Sequence, residues 1–214
     1  MKVCSQTPWA CPEEGQNMDY QEELKKLINK NNGIIMSEDL KEYNIPRQYL
    51  SLFLKEDKLE KVERGVYTTP ETFNDEMYIL QQKNKRIIFS HETSLFLHDL
   101  VDRDPLKYTV TVPYGYNASH LKERGVEVHT VKKEFYSIGV IEKETNFGRV
   151  IKVYNKERTI CDILKNRNNM VPSLLNTAIK NYLTGKVKNI PKLLDYSKKL
   201  RIKTILRRYL EMFL

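Results

Sequence analysis

Arg47, Gln48, Tyr49, Ser51 and Lys55 form the group in this chain best suited to act on another molecule, and the action is recognition. Arg and Gln present paired hydrogen-bonding groups that match the edges of guanine and adenine in the major groove of duplex DNA. Ser and Lys add contacts to phosphate oxygens. Lys58, Lys61 and Arg64 follow closely and bring further positive charge within reach of the same ligand.

Such side chains read DNA only when an element presents them to the groove, and the surrounding residues describe one. The stretch Ile34 to Pro70 reads as a winged helix-turn-helix in order. A short helix over about Ser37–Tyr43 has Ser37 as its N-cap, with Glu38 and Asp39 in its first turn. A turn passes through Asn44-Ile45, and Pro46 opens a second helix that runs to about Asp57. Tyr49, Leu50, Phe53 and Leu54 give that helix an apolar face, which leaves Arg47, Gln48, Ser51 and Lys55 outward. Tyr49 is thus a candidate reader that can also pack inward. Leu59–Val62 and Val66–Thr68 are the arms of the wing, joined through Glu63-Arg64-Gly65. A preceding helix over about Asp19–Lys30 carries Leu24, Leu27 and Ile28 as its apolar stripe and stops at Asn31-Asn32-Gly33.

The remainder reads as a second domain, which makes the fold class α+β: an N-terminal winged helix-turn-helix, then a small mixed α/β domain with a helical C-terminal end. Expected boundaries are a disordered extension over 1–17, the DNA-binding domain over 18–70, a linking helix within 71–85 and the second domain over 86–214. Residues 1–17 have no periodicity and two prolines, which suits either a disordered extension or a true start at Met18. Strands are expected at Ile87–Phe89, Tyr108–Val112, Val126–Val131, Gly139–Ile141 and Gly148–Val153. Helices are expected over His91–Leu100, with Ser90 as cap, and over Lys156–Arg167, Val171–Thr184, Ile190–Leu200 and Ile202–Phe213.

The charge distribution divides the labour. The chain of 214 residues has a net charge of +8. Met18 to Pro70 holds nine Lys/Arg and ten Asp/Glu, whereas Lys156 to Leu214 holds fourteen and four, a net of +10. The near-neutral winged helix therefore does not account for attraction to a polyanion by itself. Lys198, Lys199, Arg201, Lys203, Arg207 and Arg208 form a candidate polyanion surface, weighed against an ordinary solvated face. No apolar run is long enough to span a bilayer, and no membrane partner is expected. Cys4, Cys11 and Cys161 have no ligand-like spacing, so neither zinc nor a disulfide framework is expected, and a reducing cytoplasm suits them. No cofactor is expected.

Other titratable groups read as structural. His91 and His98 lie seven residues apart on one helix, with no further residues at zinc-binding positions. Arg158 and Asp162 are four apart and can pair on their helix. An enzyme is the alternative: a nuclease-like or nucleotidyltransferase domain targeted by the winged helix. A nucleotidyltransferase needs a Gly-Ser turn ahead of its metal-binding aspartates, and no Gly-Ser dipeptide occurs. Asp104, Glu127 and His129 supply only part of a nuclease centre, without its lysine.

Three segments of the second domain bring a family into view: Phe89 to Leu100 (FSHETSLFLHDL), Tyr108 to Pro113 (YTVTVP) and Val153 to Asp162 (VYNKERTICD). With the winged helix in front, the chain resembles the AbiEi antitoxins of type IV, or abortive-infection, toxin–antitoxin systems, from about Met18 onward. The resemblance implies a transcriptional autorepressor that binds inverted repeats of double-stranded promoter DNA. It also implies neutralisation of a co-encoded nucleotidyltransferase toxin without a stable complex. It gives Ser90, His91, His98, Glu157, Arg158 and Asp162 structural roles, the last three as a buried bridge rather than a surface pair. With no long apolar seam, the chain is expected to be a monomer that pairs cooperatively on DNA.

Overall fold

A break in contacts after Asn74 separates two units, Met1–Asn74 and Asp75–Leu214, in the computed structural model, which describes residues 14–213. Most of the proposed extension, residues 1–13, lies outside the described residues; its last residues belong to the first helix.

In the first unit, α1 spans Glu14–Lys30, β1 Ile34–Met36, α2 Asp39–Glu42, α3 Gln48–Lys55, β2 Glu60–Glu63 and β3 Val66–Thr68. The α1 helix begins earlier than its apolar stripe suggests, and no proline interrupts Glu14 to Lys30. It ends as expected: Asn32 and Gly33 both have positive φ, and Gly33 N–H closes on the Ile28 carbonyl at 2.9 Å. The α2 helix ends by the same device, with Asn44 at φ 53° and Ile45 N–H on Leu40 at 2.8 Å. Ser37 does not cap α2. Asp39 ties the preceding chain instead, accepting from Met36 N–H at 2.8 Å. Leu24, Leu27, Ile35, Leu40, Tyr49, Leu50, Phe53 and Leu59 form one apolar core. The sheet order is β1-β3-β2, antiparallel throughout, so the wing gains a third strand.

The second unit contains α4 (Glu76–Lys83), β4 (Ile88–Phe89), α5 (His91–Leu97), β5 (Thr109–Pro113), α6 (Ser119–Glu123), β6 (Glu127–Val131), α7 (Lys133–Tyr136), β7 (Val140–Glu144), β8 (Val150–Tyr154), α8 (Lys156–Lys165), α9 (Pro172–Thr184), α10 (Ile190–Lys199) and α11 (Lys203–Phe213). Its sheet order is β6-β5-β4-β8-β7. The β5–β6 and β4–β8 pairs are parallel, and the other two pairs are antiparallel. One apolar cluster joins the strands to α4 and α6, and a second joins α5 to α8–α11.

The helix expected as a linker is part of this unit. Asp75 caps α4, accepting from Tyr78 N–H at 3.0 Å and from the Thr145 hydroxyl at 2.5 Å. Gln81 then uses its side chain as a piece of strand. Its Nε2 donates to the Lys152 carbonyl at 2.9 Å and the Ile87 carbonyl at 3.2 Å, and its Oε1 accepts from Lys152 N–H at 2.6 Å. The β4–β8 ladder has a single register pair, Phe89 with Val153, and the amide of Gln81 extends the join where the backbone ladder stops.

Candidate nucleic-acid interface

The outward face of α3 follows from its inward one. Tyr49, Leu50 and Phe53 are buried, so Arg47, Gln48, Ser51 and Lys55 fall on the opposite side and are all exposed. Tyr49 leaves the set of candidate readers: it is 4% exposed, and its ring meets that of Tyr20 on α1 at 5.6 Å. Its position among the apolar residues of the helix outweighs its polar hydroxyl. Gln21, Gln48, Ser51 and Lys55 border a shallow groove between α1 and α3.

The wing is anchored to the start of α2, since Ser37 N–H donates to the Gly65 carbonyl at 2.9 Å. Gly65 has φ +78°, and a Cβ there would lie 3.0 Å from the Ser37 hydroxyl, so the turn needs glycine for both conformation and space. The register slips between Lys61 and Glu63, which twists the hairpin tip. Lys58 is partly spoken for: it pairs with Glu56 at 2.6 Å and sits over the Phe53 ring at 5.3 Å. Arg47, Lys55, Lys61 and Arg64 are exposed, and none of them has an ion pair among the described residues.

The motif residues of the second unit lie in its interior. Ser90 stands before α5 but does not cap it. Its hydroxyl accepts from the Thr111 hydroxyl at 2.9 Å and contacts His91 Nδ1 at 3.0 Å. Thr93, at the place of a capping-box glutamate, accepts from Thr109 N–H at 2.7 Å. Both hydroxyls bond into the sheet because α5 packs on β5. His98 donates from Nε2 to the Tyr154 carbonyl at 2.7 Å, and burial lowers its pKa. His91 is held at φ 46°, a strained setting for a side chain that costs of order 1–3 kcal/mol. Its ring stacks on His129 with centroids 3.7 Å apart, and burial followed by the His129 and Arg158 charges puts its pKa well below the usual histidine value.

Arg158 and Asp162 form a buried bridge. Arg158 Nε lies 2.9 Å from both Asp162 carboxylate oxygens, Nη1 donates to the Phe135 and Ile138 carbonyls at 2.6 and 3.0 Å, and the guanidinium stacks over the Tyr154 ring at 4.3 Å. Burial raises the Asp162 carboxyl, and the Arg158 charge opposes that rise. Glu157 accepts from the Tyr182 hydroxyl at 3.1 Å and from Asn189 N–H at 3.2 Å, joining α8 to α9 and to the start of α10. Cys161 is buried and burial pushes its thiol upward, away from nucleophilic behaviour. Asp102 and Asp104 do stand one residue apart, in the exposed loop after α5, with no Gly-Ser turn ahead of them. Among the described residues, no group of three or more His, Cys, Asp or Glu could hold a metal.

The cationic side chains of α10 and α11 project from a buried spine of Leu193, Leu200, Ile202 and Leu206. Lys198, Lys199, Arg201, Lys203, Arg207 and Arg208 are all exposed. Lys199 pairs with Asp195 at 2.7 Å and Arg207 with Glu211 at 2.8 Å. Among the described residues no helix is long and apolar enough to cross a membrane. Sequence reasoning did not place His129 beside His91, or the Phe135 and Ile138 carbonyls beside Arg158. Only the fold brings these separate segments together.

A family model described as transcriptional regulator, AbiEi antitoxin, matches residues 22–70, the span of the winged helix. The resemblance to the AbiEi antitoxins thus holds over residues 22–70, while the three segments that suggested it from the sequence lie outside the matched span. The match supports a role as an antitoxin and transcriptional regulator. Among solved structures, the RV2827C protein from Mycobacterium tuberculosis is similar at 10% identity and a TM-score of 0.49, covering 87% of this chain and 77% of that one. No curated protein sequence matches the chain.

Proposed function

We propose, taking as premise an N-terminal winged helix of the AbiEi antitoxin regulator type, that this protein is a DNA-binding antitoxin and autorepressor. It binds inverted repeats in its own promoter and counteracts a co-encoded nucleotidyltransferase toxin in the cytoplasm without forming a stable complex with it. The observation that carries this reading is the exposed face of α3, where Arg47, Gln48, Ser51 and Lys55 stand together opposite a buried spine. The wing adds Lys61 and Arg64 for phosphate contacts. Each chain supplies one such head, so two inverted half-sites call for two chains, which meet on the DNA.

The test has two arms. Promoter fragments with both half-sites, one or none are titrated in a mobility-shift assay, with light scattering on the free protein. Cooperative binding to the two-site fragment by a monomeric protein is expected; binding that ignores the half-sites would overturn the repressor reading. Co-expression with the toxin then measures rescue, and failure to rescue would overturn the antitoxin reading alone.

A further inference from the structure

A cavity in the second unit gathers cationic and imidazole side chains from separate segments. It lies where α8 and β6 approach, encloses about 330 Å³, and is bordered by His91, His129, Arg158 and Asp162, with Lys132 and Lys165 exposed at its rim. Arg158 is 0% exposed. Its Nη1 and Nε are engaged by the Phe135 and Ile138 carbonyls and by Asp162, and the guanidinium also meets the Tyr154 side chain. Nη2 is buried with no hydrogen-bond partner, and so is His129 Nε2. Glu127 Oε1 lies 3.1 Å from that nitrogen but outside hydrogen-bond geometry.

The sequence and the backbone are both committed to this arrangement. His91 adopts a positive φ at the first residue of α5, and its ring is stacked on His129 rather than left in solvent. Backbone strain of this kind is concentrated where a site is preorganised. Asp162 is paired with Arg158, and Lys132 and Lys165 leave the cavity with an excess of positive charge. Two exposed lysines at the mouth of a cavity, above a buried guanidinium, suit an anion with several acceptor oxygens. A phosphate group meets that description, and the cavity has more room than a phosphate alone would fill.

We propose that this cavity binds the phosphate group of a small phosphate ester, held by Lys132 and Lys165 at the rim, with the buried Arg158 beneath and the stacked His91–His129 pair as one wall. The ligand class is a phosphomonoester of roughly nucleotide size, and the site is separate from the DNA-reading face of α3. The inference does not depend on the antitoxin reading.

The experiment uses the full chain with its histidines isotopically labelled. A nucleoside monophosphate, a sugar phosphate and inorganic phosphate are titrated in turn, reading the His129 ring resonances by NMR and the heat by calorimetry. Saturable binding of at least one ester, with a shift of the His129 signals, is expected. The exposed double variant Lys132→Ala/Lys165→Ala should keep the fold and weaken ester binding about tenfold or more. No binding of either ester at millimolar concentration would overturn the proposal. So would binding of inorganic phosphate alone, or ester binding undiminished in the double variant.

Discussion

Gly139 lies so close to Arg158 that a Cβ added to it would come within 2.7 Å of the Arg158 Cβ. The contact is set by β7 and α8. Gly139 precedes β7 with φ +80°, and its carbonyl accepts from Asn155 N–H at 2.7 Å just before α8 begins. The same approach lets Arg158 reach the Ile138 carbonyl.

Gly139→Ala should therefore destabilise the protein by about 2–3 kcal/mol, from a left-handed backbone that opposes a side chain and from overpacking against Arg158. Urea unfolding followed in the far ultraviolet checks this. An unchanged midpoint would mean that the chain before β7 does not lie against α8.

Arg47→Ala and Gln48→Ala should each weaken specific promoter binding by about 1–3 kcal/mol and leave folding stability unchanged, because both side chains are exposed. Tyr49→Phe should leave affinity intact, whereas Tyr49→Ala should cost about 3–5 kcal/mol of stability through the cavity it opens beside Tyr20. Fluorescence anisotropy on the operator, paired with thermal melts, separates these outcomes. Unaltered affinity in both Arg47→Ala and Gln48→Ala would remove α3 as the reader.

Charge reversal at Lys198, Arg201, Lys203 and Arg208 should flatten the salt dependence of DNA binding, each lost phosphate contact lowering the slope by about 0.9. The preferred operator should stay the same, since sequence is read elsewhere. Binding measured across a salt series decides the matter, and a slope equal to that of the natural protein would make these helices a solvated face.

Acid should destabilise the second unit through its buried histidines. His91 and His98 both have folded-state pKa values below the ordinary 6.5. The unfolded chain therefore binds more protons below that value, and the contribution is fully present above it and lost as the pH falls further. The expected slope is up to about 1.4 kcal/mol per pH unit for each histidine. The raised carboxyl of Asp162 acts in the opposite sense, over a window that opens upward from its ordinary value of 3.8. His91→Asn, whose residue tolerates positive φ, should reduce the acid slope between neutrality and that window in denaturant titrations at stepped pH. A slope that does not change would show that His91 is not held neutral.

The winged helix was legible because local rules wrote it. The apolar spacing of α3 fixes which side Arg47 and Gln48 occupy, and Asn32-Gly33 and Gly65 mark chain reversals that few other residues allow. Tyr49 was ambiguous only while its hydroxyl was weighed without its helical neighbours. β1 is three residues long, too short to show alternation. In the second unit the four-residue spacing of Arg158 and Asp162 announced a pair. Their burial, and the carbonyls of Phe135 and Ile138, depend on segments far apart in sequence. The stacking of His91 on His129 is of the same kind, as is the join made by Gln81, whose amide is unremarkable until Lys152 lies opposite it.

That join also sets an order of events. Strands β4, β5 and β6 follow one another along the chain, and β7 and β8 form a local hairpin. The two halves meet only between β4 and β8, where Phe89 must find Val153 across the whole intervening segment. Loop closure over such a distance is slow and is rewarded last. A nascent chain therefore holds an unfinished sheet, with the apolar face of β4 uncovered, until β8 has been synthesised. Pulse-labelling hydrogen exchange should show the amides of Phe89 and Lys152, which lie at the join between the halves, protected after those that pair β7 with β8. Any chain ending before Tyr154 should be prey to proteolysis rather than a smaller working protein.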